Sequence, residues 1–508
     1  MKIRTDTKPC LAATVLCLMA LAGPILPIAS AAQAAATIEA PGFEKQLAQA
    51  AVLVDANKND DALAMLDAML AATDAPIERG QIEGLRSFAL ARLNRLADAH
   101  KAIEASVASA PAPSALLLRQ LFLLRAFDGD PAGASDTLQL IAASDPKALN
   151  SLPTEVVSDV MRAIHKDENR AFEVDYSLAT AGWSPPDLPA SDLDWIRLRL
   201  VTALAKRGRL DDAKPFIDAI LNPVVLVRRG IDRRFAPLWP AIEARLGPGA
   251  DIADAAFVAA TKARFDAAPK SLIARLGYAE ALNVASREPE ALKLADIAKT
   301  PAELAALADR EVWLVNLHAA LLGDAGRIDE ALARYAALNA TPINGRSAMI
   351  ATIINQALFA ESVDRPKEAL AAADFADQSA AGASDYGRSF IAQVRACALQ
   401  QLGQKAAAEA AAAPLVAKPG ENDDAYLVAM ICLGRMDAAA ASVIRRLADP
   451  DDRGEMLFNL QPFLIADQGK LREARQRAAL RALKVRPDVK AAYLKAGRDL
   501  PAAVAPPR

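Results

Sequence analysis

Apolar and polar positions along most of this chain repeat with the period of a helix. In Trp313-Leu314-Val315-Asn316-Leu317-His318-Ala319-Ala320-Leu321-Leu322 the apolar residues form a helical face, and a six-residue turn follows at Gly326-Arg327-Ile328-Asp329-Glu330-Ala331. The same turn occurs at Gly208-Arg209-Leu210-Asp211-Asp212-Ala213. Its chemistry predicts a helical hairpin. Gly or Asn ends the first helix in the left-handed conformation, acidic residues favour the first turn of the second helix, and a small Ala lets the two pack closely.

Related hexapeptides end at Ala62, Ala99, Ala134, Ala291, Ala369, Ala408, Ala439 and Ala474. Successive spacings over the ten are 37, 35, 79, 78, 40, 38, 39, 31 and 35 residues, so the two long gaps each hold about two repeats. Weaker copies fall in those gaps, at Ala171 and Ala255. The expectation is therefore roughly twelve helix-turn-helix units. Prolines at 111, 146, 223, 342 and 487 are placed to separate one hairpin from the next.

The stretches GRIDEALARY at 326–335, RLDDAKPFIDAILNP at 209–223 and KLREARQRAALRALKVRP at 470–487 resemble the tetratricopeptide repeat (TPR) family. That resemblance implies an all-α, right-handed α-solenoid whose inner surface, lined mainly by first helices, holds an extended peptide or a partner's helix. It implies nothing about which partner.

Composition agrees with a repeat array. The 508 residues exceed the ~250–300 at which one compact core stops growing. Hydrophobic residues are 53% but aromatic ones only 5%, so the apolar content is mostly small aliphatic helix formers. Two stretches interrupt the pattern: the Arg- and aromatic-rich segment 224–240, expected as an irregular connection and soft hinge, and a proline-rich connection at 183–189. The expected layout is a leader at 1–36, repeats at 37–223 and 241–500, and a disordered tail at 501–508.

The leader reads as a secretory signal. Lys2, Arg4 and Lys8 precede an apolar run from Leu11 to Leu21, Pro24 and Pro27 follow, and Ala29-Ser30-Ala31 and Ala32-Gln33-Ala34 fit the small-x-small cleavage rule. An uncleaved anchor is the rival reading. Neither Cys10 nor Cys17 follows the small residue that a lipoprotein signal needs. No later stretch approaches the ~20 apolar residues of a transmembrane helix, so a periplasmic or otherwise exported protein is expected. Cleavage after Ala34 leaves 56 basic against 61 acidic residues, a net charge of −5, which argues against a nucleic-acid partner.

Motifs for catalysis are sparse. His100, His165 and His318 are far apart, no Cys-x-x-Cys or phosphate-cradling glycine loop occurs, and neither cofactor nor metal is expected. Ser144-Asp145-Pro146-Lys147 matches a Ser-x-x-Lys pattern, but Pro146 places it in a turn. A calcium-loop-like start at Asp55 has Leu66 where the bidentate Glu belongs.

Candidate binding residues are therefore few. Arg228, Arg229, Arg233 and Arg234 could grip an anion or a partner, though a solvated role in a connection is the simpler reading. Trp313, Asn316 and Asn355 fall near the face that the TPR resemblance turns inward, where asparagine amides can hold an extended backbone. Cys397 and Cys432 lie in first helices of adjacent repeats; a disulfide is permitted, but neighbouring helices at ~10 Å are far for one.

Two functions follow as expectations. One is a non-catalytic periplasmic scaffold for protein-protein interaction or assembly of a cell-envelope complex. The alternative is an accessory subunit or solenoid enzyme acting on envelope polysaccharide or peptidoglycan, which leaves a glycan partner open.

Overall fold

A computed structural model describes residues 42–185, 188, 193–379, 382–466 and 473–506. The expected leader at 1–36 lies outside the described residues. Among the described residues the chain is helices and turns without a strand, save an isolated bridge between Asp232 and Gly497. No helix among them is long and apolar enough to cross a membrane.

Two compact units meet in sequence between Asp187 and Leu188, inside the proline-rich connection. In the first unit α1 (Phe43–Asp55) pairs with α2 (Asn59–Ala72), α3 (Pro76–Arg92) with α4 (Leu96–Ser109), α5 (Ala115–Phe127) with α6 (Pro131–Ser144), and α7 (Thr154–Ile164) with α8 (Glu168–Thr180).

The second unit opens with α9 (Asp194–Lys206), α10 (Leu210–Ala219), α11 (Pro223–Gly230), α12 (Trp239–Leu246) and α13 (Asp251–Ala267). The hairpin α14 (Leu272–Val284) and α15 (Glu288–Ala295) and the short α16 (Pro301–Ala305) follow. Four regular hairpins come next: α17 (Val312–Asp324) with α18 (Ile328–Asn339), α19 (Ala348–Ser362) with α20 (Pro366–Ser379), α21 (Asp385–Gln401) with α22 (Lys405–Ala417), and α23 (Asp423–Cys432) with α24 (Met436–Ala448). The unit ends in α25 (Arg453–Asn459), α26 (Pro462–Ile465), α27 (Ala474–Val485) and α28 (Pro487–Ala496).

The hexapeptide logic is visible residue by residue. Its first residue has positive φ at Asn57, Asn94, Gly129, Gly208, Ser286, Gly326, Asp364, Gly403 and Gly434. Its last residue, at Ala62, Ala99, Ala134, Ala213, Ala291, Ala331, Ala369, Ala408 and Ala439, is completely buried. At each such position a larger side chain would force the two helices of a hairpin apart.

Three copies depart from this register. Ala474 is exposed and follows Glu473, itself at positive φ, while the start of that hexapeptide lies outside the described residues. Ala255 is exposed, while Ala250 and Ala253 are buried there. At Ala171 the hairpin forms, but Asp167 caps α8 through its side chain and the alanine is only half-buried.

Within the second unit first helices stack in series, α17 on α19, α19 on α21 and α21 on α23. The two ends of the unit also meet. The backbone N–H of Arg498 donates to Ile231 O at 2.9 Å, and that of Gly249 to Ala503 O at 2.9 Å. This corrects the expectation of an irregular connection at 224–240. That segment is helical over Pro223–Gly230, Arg233–Leu238 and from Trp239 onward, and Leu226, Val227, Phe235 and Leu238 are buried. Residues 501–506 are likewise held by Ala503, so the expected tail is partly anchored. The physical reason is that each segment covers the apolar surface of the other.

Candidate functional site

Helices α17 and α19 bring two of the expected binding residues together. The Asn355 amide Nδ2 donates to Asn316 Oδ1 at 3.0 Å across neighbouring first helices. Both asparagines are half-buried. Each keeps one half of its amide for a further bond, the Asn316 N–H group and the Asn355 carbonyl oxygen. Trp313, one helical turn before Asn316, is half-buried against a cluster containing Leu304, Val312, Val315 and Met349. His318 on the same helix is 9% exposed, its Nδ1 has no hydrogen-bond partner, and its Nε2 lies 4.0 Å from Asp296. Burial, with help from the Arg334 charge, holds this imidazole below its ordinary pKa.

A second cluster sits where first helices converge. Cys397 of α21 and Cys432 at the end of α23 are disulfide-bonded, with Cα atoms 5.2 Å apart. The sequence estimate of ~10 Å between neighbouring helices fails here for a packing reason. Ala396, Ala398, Ala425 and Ala429 are all completely buried, and alanines let helix axes approach closely. This is also the shortest repeat, 31 residues between Ala408 and Ala439. Asn422 fixes the start of α23, accepting from Ala425 N and donating to Tyr386 O on α21.

Glu361 of α19 reaches this disulfide from two hairpins away, its Oε1 3.9 Å from Cys432 Sγ. It is 8% exposed and makes no ion pair among the described residues. Burial pushes its carboxyl up to about 7, against a partial offset from the Arg475 charge. Arg475 itself pairs with Asp364, and the Glu473 N–H donates to Ser362 O at 3.0 Å, so the C-terminal segment closes over this point. Sequence reasoning missed Glu361. The available signal was a lone charged residue near the end of AMIATIINQALFAES.

The four arginines are engaged within the chain. Arg228 pairs with Glu455 at 2.6 Å and lies over the Phe458 ring. Arg229 lies over Phe235, and burial lowers its guanidinium to about 10. Arg233 donates to Leu494 O at 2.9 Å, and Arg234 grips the fully buried Asp232 at 2.6 Å. Three of these contacts, to Glu455, Phe458 and Leu494, join the two ends of the second unit. A groove of about 410 Å³ lies elsewhere, between α18 and α20, with Leu332, Ala336, Gln356 and the exposed Phe375 on its walls.

No protein-family model matches this chain, and no curated protein matches it. Among solved structures it is similar to a complex described as "Structure of Naa15/Naa10 bound to HypK-THB", at 12% identity over 89% of this chain and 79% of that chain, with a TM-score of 0.26. A score that low bears on neither fold nor function.

Proposed function

We propose that this chain is a non-catalytic helical-repeat scaffold, exported to the cell envelope, that binds an extended segment of a partner protein across α17 and α19. A right-handed superhelix of roughly twelve repeats belongs to the same reading. The observation that carries it is the Asn316–Asn355 pair. One donor and one acceptor remain side by side on adjacent repeats, the arrangement a peptide backbone presents in complement, and Trp313 supplies apolar area next to them. Export rests on the basic leader and apolar run of the first 36 residues.

The test is crosslinking and affinity purification of the mature protein from envelope extracts, beside an Asn316→Ala/Asn355→Ala variant. One protein enriched by the wild type and lost by the variant is the expected result. Enrichment that the variant leaves unchanged removes this face from consideration, and enrichment of glycan alone replaces the protein partner with a polysaccharide.

A further inference from the structure

We propose that Cys397, Cys432 and Glu361, once the disulfide is reduced, form a binding site for one zinc ion. The three side chains come from α21, α23 and α19, and one potential ligand atom from each lies within 4.8 Å of the others. Tetrahedral zinc, with Zn–S near ~2.3 Å and Zn–O near ~2.1 Å, holds its ligand atoms roughly 3.5–3.8 Å apart. Glu361 Oε1 already stands 3.9 Å from Cys432 Sγ. Breaking the sulfur–sulfur bond frees both sulfurs to rotate to that spacing while the helices stay where their alanines pack them.

The donor chemistry selects the metal. Two thiolates and one carboxylate suit zinc, whereas magnesium and calcium require an oxygen shell. Burial adds a thermodynamic reason, because Glu361 is a carboxyl removed from water whose Oε1 accepts from the Gln401 amide at 3.5 Å but has no ion pair among the described residues, and a cation would supply the opposite charge. Arg475 and Asp364 flank the cluster as a mutual pair, so neither is a full opposing charge.

Reduction by a dithiol moves two electrons to the cystine, converts the reductant to its own disulfide, and leaves one proton on each of Cys397 and Cys432. Zinc then displaces both protons. The site is therefore closed in the oxidised protein and open in the reduced one, and it does not depend on the scaffold reading above.

The experiment is a zinc titration of the full mature chain against a chromophoric chelator, oxidised and then reduced with a phosphine, which takes oxygen from water and leaves its protons on the sulfurs. Reduced protein should bind one zinc at least about 100-fold more tightly than oxidised protein. Loss of an outer-shell partner alone costs a metal site about 10–100-fold, so Glu361→Gln, which keeps the side-chain shape, should weaken binding at least tenfold. Cobalt in place of zinc should give a thiolate charge-transfer band that Cys432→Ser abolishes. Equal affinity in the two redox states, or wild-type affinity in Glu361→Gln, overturns the assignment. Should Cys432→Ser lose helicity by circular dichroism, Glu361→Gln decides alone.

Discussion

The guanidinium of Arg498 lies 3.6 Å over the ring of Trp239, joining the last turns of the second unit to a helix near its beginning. The same side chain donates Nε to Gly230 O at 2.9 Å and pairs with Glu243. The Trp239 Nε1 is spoken for as well, shared between Arg229 O and Asp232 O at 3.2 Å. A cation–π contact desolvated on one side, a charged hydrogen bond and a half-buried ion pair together suggest a cost of about 2–4 kcal/mol for Arg498→Ala. Urea unfolding should show this fall, with Arg498→Lys recovering only part of it because Lys lacks the planar fork. A change below about 0.5 kcal/mol would mean that this closure contributes nothing.

Close helix approach can be tested at Gly323 of α17. A Cβ built there would stand 2.3 Å from the Phe359 ring of α19, and Phe359 also packs against Tyr335 at 5.6 Å between centroids. Gly323→Ala should cost about 1–3 kcal/mol through overpacking, although alanine is the better helix former. Adding Phe359→Leu should make the two changes non-additive, since the second relieves the clash made by the first. Strict additivity in a double-mutant cycle would show that the helices do not meet there.

The disulfide closes a loop between Cys397 and Cys432, 35 residues apart. Loop-closure entropy for that length corresponds to about 3–4 kcal/mol as an upper figure. Cys397→Ala/Cys432→Ala should therefore unfold at lower denaturant than the oxidised wild type, and adding a reductant with a metal chelator should bring the wild type toward the variant. No difference between oxidised and reduced wild type under chelation would remove the stabilising role.

The repeat was legible because its information is local. A positive-φ residue and a buried alanine fall within six residues in nine copies from Ala62 to Ala439, and all of these but the copies ending at Ala134 and Ala408 add an acidic first turn. What lies far apart in sequence was not legible. The arginines at 228–234 look like a solvated loop until Glu455, Phe458 and Leu494 arrive beside them. Cys397 and Cys432 were correctly placed on adjacent first helices, but their separation depends on four buried alanines whose partners no periodicity identifies. Glu361 meets its sulfur from two hairpins away for the same reason: how closely successive first helices approach is a sum of small packing choices. Of the expected peptide-binding set, Asn316 and Asn355 do face one another, because residues one repeat apart share a register.

His318 provides a pH signature of the α17 core. Burial lowers its pKa below 6.5, the Arg334, Arg327 and Lys299 charges act in the same direction, and only Asp296 opposes them. A histidine depressed in the folded state takes up protons more readily when unfolded, so its stabilising contribution is fully present above the unfolded value of about 6.5. That contribution is lost as pH falls below this value toward the folded pKa. His318→Gln keeps a polar side chain that does not titrate. The difference in unfolding free energy between wild type and this variant should be constant from pH 7 to 8 and should shift against the wild type between about pH 6.5 and 5. Carboxylates elsewhere titrate in both proteins and cancel in the difference. Parallel stability curves over that range would show that folding leaves the His318 pKa unchanged, and a wild type that gains on the variant in acid would show that folding raises it; either result overturns the prediction.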